Sequence, residues 1–170
     1  MTLRYFALAA AAALMLAGPP AVARADDATT MAQAPVKLGD LEIFGGFARA
    51  TLPNAPVGGG YLSVTNTGKA ADRLVSASSP AAGKVSLHEM SMDGSVMKMR
   101  DLPNGIEIPA GKTVTMAPSG LHMMFEHLKG AFVEGKTVPV TLTFEKAGTA
   151  TVQLNVLGIA ASGPMSGMAM

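Results

Sequence analysis

The chain lacks cysteine and tryptophan altogether, and only 15% of its 170 residues are charged. Without cysteine there is no disulfide, zinc finger, thiolate nucleophile, iron–sulfur cluster or thiolate-ligated blue-copper site. An electron-transfer cupredoxin is set aside on that ground. No Ser–His–Asp set, paired carboxylates in context, P-loop or dinucleotide fingerprint occurs, so a non-enzyme is expected.

Long hydrophobic runs are missing too. The apolar stretch Tyr5–Ala17 follows Arg4, stops at Gly18-Pro19-Pro20 and is too short to span a bilayer. With Ala23-Arg24-Ala25 behind it, residues 1–25 read as a secretory signal peptide cleaved after Ala25. Losing Arg4 and Arg24 leaves 11 basic and 12 acidic residues, a net charge near −1. Such a chain has no basic patch for nucleic acid, and no membrane span is expected in its mature part. The short apolar core and A-x-A site point to the bacterial periplasm, with which the lack of cysteine is compatible.

From Leu41 onward, short runs of Val, Ile, Leu, Phe and Thr alternate with Gly, Pro, Asn and Asp. The runs predict strands at Leu41–Thr51, Gly60–Asn66, Asp72–Ala77, Val85–Met92, Val96–Arg100, Ile106–Ile108, Thr113–Met116, His122–Leu128, Thr137–Glu145 and Ala150–Val156. Turn signals fall between them, including Asn66-Thr67-Gly68 and Asp93-Gly94. Gly58-Gly59-Gly60 reads as a bend between strands. Closely spaced strands without a helical stretch predict an all-β sandwich or barrel. The last two runs alternate cleanly, with Val138, Val140, Leu142 and Phe144 on one face and Val152, Leu154 and Val156 on another.

Methionine is what the chain has in excess. Of 13, 11 remain once Met1 and Met15 leave with the signal, and seven of these lie within residues 88–124. His88 and His122 bound that window, and His127 lies just beyond it. Thioether and imidazole without thiolate form a donor set that selects Cu(I). Strand parity puts His88, Met90 and Met92 on one face, Met97 and Met99 on one face, and His122 with Met124 on one face. A strand methionine is also ordinary core filler. Met116 and Met123 are assigned to the core and His127 to a structural or peripheral place. Met92 and Met97 stay open between ligand and packing.

These residues resemble the signature of the periplasmic copper chaperones called PCu(A)C: a His, ten residues, a Met, about twenty-one residues, then His-x-Met. Here ten residues separate His88 from Met99 and twenty-two separate Met99 from His122-Met123-Met124. The extra residue fits into the Pro103–Gly105 or Pro118–Gly120 turn. The likeness runs over roughly Leu41–Val156. Phe47-Ala48-Arg49-Ala50-Thr51 is similar to the family's W-A-R-A-T, with Phe47 in the tryptophan position. Gly60-Tyr61-Leu62, Asp72-Arg73-Leu74, His88-Glu89-Met90 and Ile106-Glu107-Ile108-Pro109-Ala110-Gly111 are similar as well.

The resemblance implies a cupredoxin-like Greek-key β-barrel. It implies Cu(I) held by His88, Met99, His122 and Met124, with Met90 as an optional extra ligand. It further implies a copper carrier that serves the copper centres of cytochrome c oxidase, partnered by an oxidase subunit or another copper chaperone. The expected layout is signal peptide 1–25, flexible leader 26–40, copper-binding β-domain 41–157 and Met-containing flexible tail 158–170. That tail carries Met165, Met168 and Met170 but no histidine, and reads either as a weak Cu(I) capture arm or as a plain end. The competing expectation is a metal-free secreted β-sandwich for adhesion or assembly, with its methionines as packing.

Overall fold

The computed structural model describes residues 33–163, which form eleven β-strands and no helix. They are β1 (Val36–Leu38), β2 (Leu41–Arg49), β3 (Val57–Asn66), β4 (Asp72–Ser78), β5 (Ala82–Asp93) and β6 (Val96–Asp101). Then come β7 (Ile106–Ile108), β8 (Thr113–Thr115), β9 (Leu121–Leu128), β10 (Thr137–Phe144) and β11 (Gly148–Leu157). The expected signal peptide and the methionines of the expected tail lie outside the described residues. Among the described residues no helix is long and apolar enough to cross a membrane.

Strands β2, β11, β10, β4, β5, β9 and β3 pair in that order, and β3 pairs back onto β2 to close a ring of seven. Closing the sheet removes its open edges. The β11–β2 pair is parallel, whereas β10–β11 and β5–β9 are antiparallel. The β3-to-β4 and β9-to-β10 connections join strands that are not neighbours, the mark of a Greek key. Outside the ring, β1 lies on β2, β8 on β3, β6 on β5 and β7 on β4.

Alternation places the core. In β10, Val138, Val140, Leu142 and Phe144 are buried, and in β11 so are Ala150, Val152, Leu154 and Val156. The β-branched valines and Phe144 among them suit a pleated surface with one face inside. From β9, Met123 and Phe125 point inward and are fully buried, and Met116 is buried too. The core assignment of Met116 and Met123 holds.

Two local expectations need correction. The stretch expected as a leader contributes β1, whose Val36 and Leu38 pair with Ile43 and Leu41 of β2. Gly58-Gly59-Gly60 is no bend but part of β3, paired with Phe125, Met124 and Met123 of β9. The glycines are there because rings occupy the space of their side chains. A Cβ on Gly60 would meet Phe125 Cε2 at 2.5 Å, and one on Gly59 would meet Tyr61 Oη at 2.6 Å.

The end of the barrel at the β10–β11 turn is tied by Asp72. Its Oδ1 accepts the backbone N–H groups of Arg73 and Lys146, and its Oδ2 accepts that of Ala147. Burial alone raises the pKa of this carboxyl, but the three N–H donors and the Lys146 ammonium outweigh it and hold the pKa below the usual value. A depressed folded-state pKa means stability that is present above the unfolded value of about 3.9 and is lost as pH falls through the folded one. Stability measured by urea unfolding is therefore expected to fall off more gently at acid pH in Asp72→Asn than in wild type. Equal slopes below about pH 4 would refute the assignment.

Candidate metal centre

Strands β5 and β6 form a hairpin whose two-residue loop is Gly94-Ser95, with Asp93 opposite Val96. Gly94 has φ +64°, the left-handed conformation that glycine adopts without penalty in such tight loops. This loop fixes the register. Met92 opposes Met97, Met90 opposes Met99, and His88 opposes Asp101. All six side chains stand on one face. The other face carries Glu89 opposite Arg100, joined as an ion pair, and Ser91 opposite Lys98.

On its other edge β5 pairs with β9, where His88 sits directly opposite His122. The two imidazole rings meet edge to face with centroids 5.5 Å apart. Beyond His122 lies Tyr61, with ring centroids 6.5 Å apart, and Phe47 stacks on Tyr61 at 4.8 Å. A row thus runs across five strands: Asp101, His88, His122, Tyr61, Phe47. The aromatic pair explains how two histidines stay buried on a face that is not the barrel core. Burial pushes the Tyr61 phenol above its usual pKa against the pull of Arg49, whose guanidinium lies 5.8 Å from the ring centroid. Tyr61 therefore remains a neutral wall.

The ring nitrogens are sorted by their partners. His88 Nε2 lies 2.5 Å from Asp101 Oδ1, and a carboxylate only accepts, so Nε2 carries the proton. In the neutral ring, His88 Nδ1 then carries the lone pair, and it faces Met99 Sδ at 3.1 Å. His122 reverses the pattern. Its Nδ1 donates to the Gly120 carbonyl at 3.0 Å, which leaves Nε2 as the lone-pair nitrogen. Metal-binding imidazoles are usually oriented by such a contact on their second nitrogen.

The structure brings His88, His122 and Met99 together. Met124 and Met90 share the same face but flank the histidine pair on opposite sides. Met124 lies beside Ser86, and Met90 N–H bonds to Gly120 O. Both are half-buried. His127 is exposed near the end of β9 with φ +55°, five residues from His122 and apart from the pair. Among the described residues no group of three or more His, Cys, Asp or Glu side chains could hold an ion. The other soft donors on this face are the thioether sulfurs of Met90, Met99 and Met124. Sequence reasoning missed Asp101, the Gly120 carbonyl and the Tyr61–Phe47 wall as parts of this arrangement. Counting outward from a two-residue Gly94-Ser95 loop would have found Asp101.

Comparison with known proteins fits this architecture. The fold is all-β and cupredoxin-like, as in the PCuAC domains it resembles. One, described as the copper-bound PCuAC domain from PmoF2, is 26% identical with a TM-score of 0.63, over 74% of this chain and 99% of that one. Another, the Cu(I) form of DR1885 from Deinococcus radiodurans, is 27% identical with a TM-score of 0.54, over 76% of this chain and 85% of that one.

Residues 41–156 match the family described as "Putative lipoprotein LpqE-like", and the chain belongs to that family. A curated relative from Leifsonia xyli subsp. xyli, "Putative lipoprotein Lxx21020", is 35% identical over 96 residues. That match spans 56% of this chain and 58% of the relative, a little over half of each.

Proposed function

We propose that the protein is a periplasmic Cu(I) carrier rather than an enzyme, with His88, Met99, His122 and Met124 as ligands and Met90 as an optional fifth donor. The observation that carries the reading is His88 Nδ1 facing Met99 Sδ at 3.1 Å, beside the ring of His122. Neutral thioether and imidazole donors suit a soft monovalent ion and offer little to Zn(II) or Mg(II). The copper-bound descriptions of the similar PCuAC domains support the same ion.

A carrier must also release its cargo. Met99 is about half exposed on a strand outside the barrel, so an acceptor's ligand can approach before the histidines let go. The signal peptide reading supports export, and the family resemblance supports an acceptor such as a cytochrome oxidase subunit or another copper chaperone. In competition with a chromogenic Cu(I) chelator under reducing conditions, the protein is expected to retain one tight equivalent. Its melting temperature should rise with Cu(I), because a ligand that binds only the native state stabilises it. X-ray absorption should count sulfur together with one or two imidazole neighbours. Failure to retain any Cu(I), with no thermal shift, would instead favour the metal-free β-sandwich.

A further inference from the structure

The β5–β6 hairpin carries more soft donors than the inner site uses. Beyond Met90 and Met99 the same face presents Met92 opposite Met97, the last same-face pair before the loop. Met92 is 62% and Met97 57% exposed, so neither packs in the core. Side chains directly opposite on antiparallel strands have Cβ atoms about 4.5–5.5 Å apart, within reach of one ion for two flexible thioether arms.

We propose that Met92 and Met97 form a second, outer site for a soft monovalent cation, Cu(I) or its redox-inert analogue Ag(I). Hairpin stability alone does not call for these residues. An exposed cross-strand pair is better served by β-branched or aromatic side chains. Methionine instead brings rotamer entropy to be lost and a sulfur open to oxidation. Nor does solubility require them, since the opposite face carries the Glu89–Arg100 pair and Lys98 bonds Asp93.

The outer pair has two neutral sulfurs and no imidazole, so it holds the ion more weakly than the inner donors. The next pair inward, Met90 and Met99, lies about 7 Å along the strands, and the His88 pair the same distance again. The ladder forms a graded path from the exposed loop to the buried histidines. Its destination rests on the inner site proposed above; the outer site itself does not.

The test compares the full-length wild type with a Met92→Leu/Met97→Leu variant, which keeps the apolar surface and removes only the sulfurs. Each is titrated with silver nitrate, and methionine oxidation by peroxide is mapped by mass spectrometry with and without Ag(I). The variant is expected to take one equivalent fewer than wild type while keeping the tightest one. In wild type, Ag(I) should slow sulfoxide formation at Met92 and Met97 severalfold. Equal stoichiometry in the two proteins, with Met92 and Met97 oxidised at the same rate whether or not Ag(I) is present, overturns the proposal. That is also the result expected if the strip is only an apolar surface. A His122→Ala variant run alongside reads the inner site separately: the tight equivalent should go and protection of Met92 and Met97 should remain. Loss of that protection as well would overturn an independent outer site.

Discussion

His122→Ala is expected to weaken Cu(I) binding by about a hundredfold or more, measured by competition with a Cu(I) chelator. Losing even an outer partner of a metal ligand typically costs about 10–100-fold in affinity, and His122 is proposed as a ligand itself. Its Nε2 is the lone-pair nitrogen because Nδ1 is committed to the Gly120 carbonyl. The substitution therefore removes a donor already oriented before the ion arrives. Asp101→Ala supplies the graded contrast. It leaves every proposed ligand in place but frees the tautomer of His88, so its loss should fall within the 10–100-fold range. Circular dichroism of the metal-free proteins separates both effects from unfolding. An unchanged affinity in a folded His122→Ala protein would show that the ligand assignment is wrong.

The largest effect on folding is expected from Phe125→Ala, at about 3–5 kcal/mol. Phe125 is completely buried, meets Phe132 edge to face at 5.3 Å, and occupies the space left by the missing side chain of Gly60. β3 and the β9–β10 connection thus close on one ring, and neither fills the cavity without moving backbone. Since domains of this size are stable by about 5–15 kcal/mol, the variant should lose a large share of its stability. Urea unfolding checks this. A loss below about 1 kcal/mol would mean that the barrel repacks around the gap, contrary to the close packing expected of such cores.

How far each element could be read from the sequence depended on whether its signal was local. β10 and β11 were legible because every second residue is apolar, so the pattern alone sets the buried face. β1 was not, since a three-residue strand after Pro35 carries too little alternation to stand out. Gly58-Gly59-Gly60 misled for a physical reason. Glycine weakens a strand on its own account, and it takes the distant rings of Phe125 and Phe132, with that of neighbouring Tyr61, to explain why it is needed there. Within the candidate site, parity put His88 with Met90 and His122 with Met124 on shared faces. The face-to-face placement of His88 and His122 depends on β5–β9 pairing, which nothing local encodes. Asp101 was hidden because a single acidic residue at a strand end looks like any solvated charge.

β6 is bonded to the rest of the protein along one edge, to β5, and all six of its residues are exposed. β9, by contrast, is held on both sides within the ring, by β5 and β3, and His88 lies directly opposite its His122. Local opening of a structure draws on its weakest cooperative units first. Peeling back β6 would withdraw Met99 and Asp101 together while His88 and His122 stay where the barrel fixes them. One motion would then remove a proposed sulfur donor and the carboxylate that faces His88 Nε2. In the proposed carrier, handing over the ion is therefore a local event on the hairpin, with the global stability of the barrel left out of it.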